Sequence, residues 1–134
     1  MSEQYLSIRE MCEAYDVTPR TLRFYESKEL LFPVRQGTRR LFTRKDRARL
    51  KLILRGKRFG FSLEDIRQLL NLYDPSQLNL PQMVTCYDMA QERLRDMEQQ
   101  RDELNEAIEE LKGQLEWGAD LIETTRKGDK AAAE

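Results

Sequence analysis

The chain has 134 residues, of which 35% are charged and 40% hydrophobic, and its formal net charge is −1. This length allows one compact domain plus an appendage, and the high charge content indicates a long solvent-exposed helix. No segment reaches the roughly 20 apolar residues of a membrane span, and residues 1–9 lack the apolar core of a signal peptide. We therefore expect a cytoplasmic protein without membrane contact.

The near-neutral total conceals a strong charge asymmetry. Residues 1–72 carry 16 Lys and Arg against 9 Asp and Glu, whereas residues 73–134 carry 7 against 15. Eleven basic residues and a single acid, Asp46, lie within residues 35–58. The first half of the chain is therefore expected to bind a polyanion, and the second half to repel one.

Two short helices are predicted near the N-terminus. Ser7 and Glu10 form a capping box, and the apolar spacing that follows predicts a first helix at about Ile8–Tyr15. Thr18 followed by Pro19 begins a second helix, because the hydroxyl caps free N–H groups and proline loses no hydrogen bond there. So tight a connection indicates a helix-turn-helix, whose second helix projects basic and aromatic side chains suited to a major groove.

A short hairpin, the wing, is predicted within residues 32–42. Pro33 prevents a helix there, Gly37 permits a turn, and extended-favouring residues flank it. The arginines of the wing suit the backbone or minor groove of the same duplex, although they could simply keep a surface hydrated. These arginines are Arg35, Arg39 and Arg40.

Two more helix starts follow the wing. Thr43 with Asp46 and Ser62 with Asp65 repeat the capping-box pattern, and Gly60 between them suits the left-handed end of a helix. The residues expected to face inward are Leu50, Ile53 and Leu54 in the third helix and Ile66, Leu69, Leu70 and Tyr73 in the fourth.

A heptad repeat of apolar residues begins after a linker predicted at residues 74–81. Counting heptads from Leu80, eleven of thirteen a and d positions are apolar, which is typical of a coiled coil. A helix of about 60 Å over residues 82–122 cannot bury this stripe alone, so we predict a homodimer, with residues 123–134 as a disordered tail. Arg101 either meets a partner carboxylate and fixes the register or extends out of the seam. The seam residues are Leu80, Met83, Tyr87, Ala90, Leu94, Met97, Arg101, Leu104, Ile108, Leu111, Leu115 and Ile122.

The two cysteines, Cys12 and Cys86, do not form a disulfide framework, and the chain has no histidine. Common zinc-ligand sets therefore cannot be assembled within one chain, and we predict no metal and no cofactor. Cys12 is expected in the core and Cys86 beside the seam as a small apolar residue. A thiol- or metal-responsive sensor at Cys86 is the alternative.

The order of helix-turn-helix, wing, helix pair and long terminal helix resembles the MerR family of bacterial transcription regulators. The resemblance is carried by VTPRTLRFYESKELLFP at 17–33, RLFTRKD at 40–46 and GFSLEDIRQLL at 60–70. It implies a mainly α fold, with a winged helix-turn-helix DNA-binding domain at residues 1–73 and a dimerising antiparallel coiled coil. Residues 49–74 also look like the Liu-type subgroup, which controls branched-chain amino acid and acyl-CoA degradation and suggests an acyl-CoA effector.

The resemblance also implies a mode of action. Family members bind a near-palindromic operator in double-stranded promoter DNA as homodimers, and distort it so that RNA polymerase can use the promoter. The chain departs from the family pattern ahead of Arg40 in the wing and at Glu29, where a glycine usually ends the recognition helix. By position, Arg20, Arg23, Tyr25, Arg40, Phe42, Lys57 and Arg58 match the family's DNA-binding surface, and Thr18, Arg35 and Arg39 complete our candidate set.

Two other classes of protein fit this sequence less well. A winged-helix protein-interaction adaptor with a coiled-coil scaffold would scatter its basic residues, whereas here they concentrate in and beside the wing. An enzyme is disfavoured because the chain has no histidine, no nucleophile with a base at plausible spacing and no glycine-rich phosphate loop. We therefore predict no catalytic residues.

Overall fold

The computed structural model describes residues 4–76 and 78–133, which are mainly helical. The chain divides into two compact units, the first ending at Met89 and the second beginning at Ala90. The described elements, in chain order, are β1 (Leu6–Ser7), α1 (Ile8–Tyr15), α2 (Pro19–Ser27), β2 (Val34–Gln36), β3 (Arg39–Phe42), α3 (Arg44–Arg58), α4 (Leu63–Asn71) and α5 (Leu80–Ala133).

The two N-terminal helices begin where the sequence predicts. Ser7 and Glu10 form the reciprocal capping box of α1, with the Ser7 N–H donating to Glu10 Oε1 at 2.9 Å. Thr18 caps α2 by accepting from the N–H of Thr21 at 3.2 Å. Between the helices Asp16 adopts a left-handed φ of 53°, which ends α1 within one residue. The helix-turn-helix is confirmed.

The wing is the hairpin β2–β3, and its turn contains Gly37 at φ 64°. The first strand, β1, was not predicted; its residues Leu6 and Ser7 pair antiparallel with Phe42 and Leu41. The strand order is β1-β3-β2, so β3 is the central strand. Two residues are too short to show the alternation that reveals a strand. This pairing joins the base of the wing to the start of α1.

The core of the first unit lies between the sheet and α1 to α4. Gly56 of α3 gives α4 room to approach, since a Cβ there would lie 2.7 Å from Cγ1 of Ile66. Tyr73, predicted to face inward, is 68% exposed because α4 ends before it, at Asn71. Cys12 packs partly buried against the core. The buried core residues are Met11, Leu22, Tyr25, Leu30, Leu31, Phe42, Leu50, Ile53, Ile66 and Leu70.

The terminal helix is longer than predicted at both ends. It begins at Leu80 because the side chain of Asn79 accepts a hydrogen bond from the N–H of Gln82 at 2.9 Å, which shortens the predicted linker. The disordered tail predicted at 123–134 is wrong, since α5 continues to Ala133. An i,i+4 ion pair between Glu123 and Lys127 and the strong helix propensity of alanine explain the extension.

Candidate nucleic-acid interface

The exposed face of α2 carries two of the predicted DNA contacts. Arg20 and Arg23 are both exposed, and a separation of three residues makes them neighbours on the helix surface. The Thr18 cap fixes where α2 begins and is itself exposed. The helix therefore presents a cationic surface of the size and shape that a major groove accepts.

The wing is attached to α2 through one carboxylate. Glu26 of α2 accepts hydrogen bonds at Oε1 from Nη2 and Nε of Arg35, at 2.8 and 3.2 Å. Its other oxygen, Oε2, accepts from Nε of Arg40 at 2.6 Å. Arg35 and Arg40 are directly opposite each other in the β2–β3 ladder. We call these three side chains the Glu26 clamp.

The clamp is partly shielded from solvent. The side chains of Glu26 and Arg40 are 20% and 21% exposed, whereas that of Arg35 is 52% exposed. Burial raises the pKa of Glu26, but hydrogen bonds from Arg40 and Arg35 and their charges outweigh it, so its pKa is lowered overall. Glu26 is therefore ionised at neutral pH.

Two aromatic residues in the candidate set belong to the hydrophobic core instead. Phe42 is fully buried because the alternation of β3 turns it inward, so its predicted contact with DNA is wrong. Tyr25 is 4% exposed because it lies on the same inward face of α2 as Leu22, and burial raises the pKa of its hydroxyl. Both rings support α2 and the wing from the inside.

The other basic candidates lie on the surface of the first unit. Arg39 is exposed on β3, beside the turn of the wing. Lys57 and Arg58 are exposed in the last turn of α3, where positive charge also favours the helix dipole. The Glu26 clamp joins the wing to α2. Lys57 and Arg58 belong to α3 and are not part of this clamp.

The segment that follows α2 is held by side chains whose role was not predicted from the sequence. Glu29 adopts a left-handed φ of 59° at the position where a glycine is usual. Arg67 of α4 donates to the carbonyl oxygens of Lys28 and Glu29, and Arg49 of α3 donates to that of Leu30 at 2.7 Å. Two guanidinium groups thus stabilise the C-terminal end of α2 and the residues that follow it. Such contacts over 19 or more residues leave no local sequence signal.

Cys86 lies in a protected site. It is 2% exposed, and burial raises the pKa of its thiol, with a further increase from the charge of Asp65. A raised pKa disfavours the thiolate that oxidation or metal binding requires, so the sensor alternative is not favoured.

Among the described residues no group of three or more Cys, Asp or Glu is placed to hold a metal ion. In the same part of the chain no helix is long and apolar enough to cross a membrane.

The predicted seam of α5 is exposed along its length. Exposure of its large apolar side chains ranges from 38% at Met97 to 70% at Leu80. Arg101 is also exposed and donates to its neighbour Asp102 from Nη2 at 3.1 Å and Nε at 3.2 Å. The helix therefore presents a long apolar stripe to solvent.

Two overlapping segments of the chain match models of one protein family. Residues 6–73 match the family model described as MerR HTH family regulatory protein, and residues 47–114 match the model described as MerR, DNA binding. The HTH-type transcriptional regulator ZntR of Escherichia coli (strain K12) is 43% identical over 67 residues, or 48% of each chain. The chain thus spans about half the length of the curated relatives it matches.

Solved structures share the fold over more of the chain. The transcription regulator PbrR691 from Ralstonia metallidurans CH34, solved in complex with lead(II), is 32% identical, with a TM-score of 0.58 over 78% of this chain and 83% of PbrR691. HiNmlR, a MerR family regulator lacking the sensor domain and solved bound to promoter DNA, is 24% identical. Its TM-score is 0.61 over 84% of this chain and 88% of HiNmlR.

Proposed function

The chain belongs to the MerR family of helix-turn-helix regulatory proteins, and on this premise we propose that it binds double-stranded promoter DNA and regulates transcription. The observation that carries the proposal is the exposed pair Arg20 and Arg23 on α2, beside a wing attached to the same helix. In this arrangement α2 enters the major groove while the wing lies against the backbone. A regulator of this class acts on chromosomal DNA, so we place it in the cytoplasm.

The exposed stripe of α5 supports a homodimer as the binding species. Apolar residues recur at a and d positions from Leu80 to Ile122, and a second copy offers the matching stripe. We propose an antiparallel coiled coil, in which two DNA-binding domains contact the half-sites of a near-palindromic operator. Distortion of the promoter between the half-sites would then control its use by RNA polymerase.

A salt-dependent gel shift tests DNA binding. The probe is a labelled duplex selected by the wild-type protein from a random-sequence library, with competitor DNA present. We expect a nanomolar Kd that weakens steeply with salt, because each neutralised phosphate contributes about −0.9 to the slope of log K against log salt. A protein-interaction adaptor would select no duplex.

A matched pair of variants assigns binding to α2. The double variant R20A/R23A should weaken binding to the selected duplex at least about tenfold and reduce its preference over other sequences, since each lost base contact costs about 1–3 kcal/mol and relaxes specificity. R9A removes an exposed arginine from α1, where its partner is Glu13, and should change the Kd less than about twofold. Equal effects of both variants would contradict α2 as the reading element.

The subgroup resemblance of residues 49–74 supports a narrower proposal, that short acyl-CoA esters act as effectors. An effector must bind one conformation of the dimer better than another in order to change transcription. Calorimetric titration of the purified protein with isovaleryl-CoA tests this directly. Absence of binding at high micromolar concentration would refute it without affecting the DNA-binding proposal.

A further inference from the structure

The Glu26 clamp contains a charge arrangement that is unfavourable without its carboxylate. Arg35 and Arg40 are cross-strand partners, and like charges directly opposite each other in a ladder destabilise the pairing. Glu26 offsets this by giving one oxygen to each arginine. Because the carboxylate belongs to α2, it fixes the wing relative to the recognition helix as well as within the hairpin.

The two arginines are bound to different degrees. Arg40 is 21% exposed and meets Glu26 over 2.6 Å, which makes it the fixed member of the clamp. Arg35 is 52% exposed and uses two of the five N–H donors of its guanidinium on Glu26. The others suit a phosphate acceptor that approaches from solvent, so Arg35 can contact DNA without leaving Glu26.

We propose that Glu26 is a specificity-determining positioning residue, which holds the wing arginines so that they reach phosphates only when α2 is correctly seated in its groove. This inference rests on the proposed DNA binding. Glu26 carries a negative charge, the same sign as the charge of DNA. A carboxylate near the interface repels misplaced phosphates, so it lowers affinity for random sequence more than for the operator. Preorganisation of the wing also reduces the ordering cost of the specific complex.

The test compares E26Q with wild type on two labelled duplexes at several salt concentrations. One duplex is the sequence that wild type selects from a random library, and the other is a shuffled version of the same length and composition. E13Q is the matched control, because it removes the same charge from α1, where Glu13 pairs with the exposed Arg9. Thermal melts of all three proteins report folding independently of DNA.

In E26Q we expect the ratio of Kd values, shuffled over selected, to fall at least about tenfold, with binding to the shuffled duplex unchanged or tighter. The salt slope on the shuffled duplex should become steeper by up to about 1, because the arginines lose their internal counter-charge. E13Q should keep the wild-type ratio within about twofold. A ratio in E26Q within threefold of wild type overturns the inference, including when both affinities fall together.

A second variant keeps the test decisive if E26Q melts below the assay temperature. E26D retains the charge but shortens the side chain by one methylene, so it cannot reach both arginines in the same geometry. In E26D the ratio of Kd values, shuffled over selected, should also fall by about threefold or more. Its salt slope should stay at the wild-type value, because the charge is kept. An unchanged ratio in E26D overturns the positioning role, whereas a wild type that selects no duplex refutes the proposed function itself.

Discussion

The backbone N–H of Phe32 donates a 2.9 Å hydrogen bond to Oδ1 of Asp46, a residue 14 positions later in the chain. The other oxygen of this carboxylate accepts from the N–H and the hydroxyl of Thr43, both at 3.1 Å. Asp46 is 2% exposed, so these bonds are shielded from water. A single buried carboxylate therefore completes the capping box of α3 and holds the chain that follows α2.

We predict that D46A lowers the free energy of unfolding by about 2–4 kcal/mol, because it removes the carboxylate half of the α3 capping box and leaves the Phe32 N–H without its acceptor. Urea denaturation with an unchanged m-value is the measurement. The comparison variant is D65A at the equivalent position of α4, where Asp65 is only partly buried and its backbone N–H, which alanine keeps, donates to the Ser62 hydroxyl. D65A should cost about 1 kcal/mol or less, and equal losses in the two variants would contradict the stabilising role of the buried Asp46 carboxylate.

The contact between α3 and α4 gives a second prediction of stability. G56A should lower the free energy of unfolding by about 1–3 kcal/mol, because its Cβ would lie 2.7 Å from Cγ1 of Ile66. G113A is the control, since a Cβ on that glycine of α5 meets nothing within 4 Å. It should stabilise its helix by up to about 1 kcal/mol. The midpoint temperatures of thermal unfolding should therefore fall in G56A and rise in G113A. A stabilised G56A would contradict the tight packing of α3 against α4.

Features encoded by neighbouring residues could be predicted from the sequence. The capping boxes at Ser7 and Thr43 and the Thr18 cap depend on contacts three residues apart, so helix starts were accurate. Contacts between residues distant in sequence were not predictable. Glu26 binds Arg40, which lies 14 positions later, and nothing in the sequence distinguishes Glu26 from the other acidic residues. The burial of Phe42 was missed because a resemblance in sequence says which residue is present, not which face it occupies.

The lowered pKa of Glu26 predicts an acid-sensitive wing. The pKa in the folded protein lies below the ordinary value of 4.5, so the carboxylate stabilises the fold fully above about pH 4.5. This contribution disappears as the pH falls through the folded-state pKa. The difference in unfolding free energy between wild type and E26Q should therefore be largest near pH 6 and shrink towards pH 3. Urea denaturation at intervals of half a pH unit measures it, and a pH-independent difference would show that the charge is not responsible.

The predicted seam of α5 gives the last test, because its apolar residues need a partner to cover them. Leu104 occupies a d position and is 61% exposed, so L104E should bury an unpaired charge in the dimer and convert it to a monomer at micromolar concentration. Q99E makes the same change of charge at an outer f position and should leave the dimer intact. Analytical ultracentrifugation distinguishes the two states.

Loss of the dimer should also weaken operator binding, because two linked domains bind two half-sites with an effective concentration that separate domains lack. We expect L104E to lose at least about 100-fold in operator affinity, at the low end of the gain from linking two sites, while its affinity for a single half-site stays near that of Q99E. A wild-type protein that sediments as a monomer at micromolar concentration would contradict the coiled coil. Unchanged operator affinity in a monomeric L104E would instead show that one DNA-binding domain is sufficient.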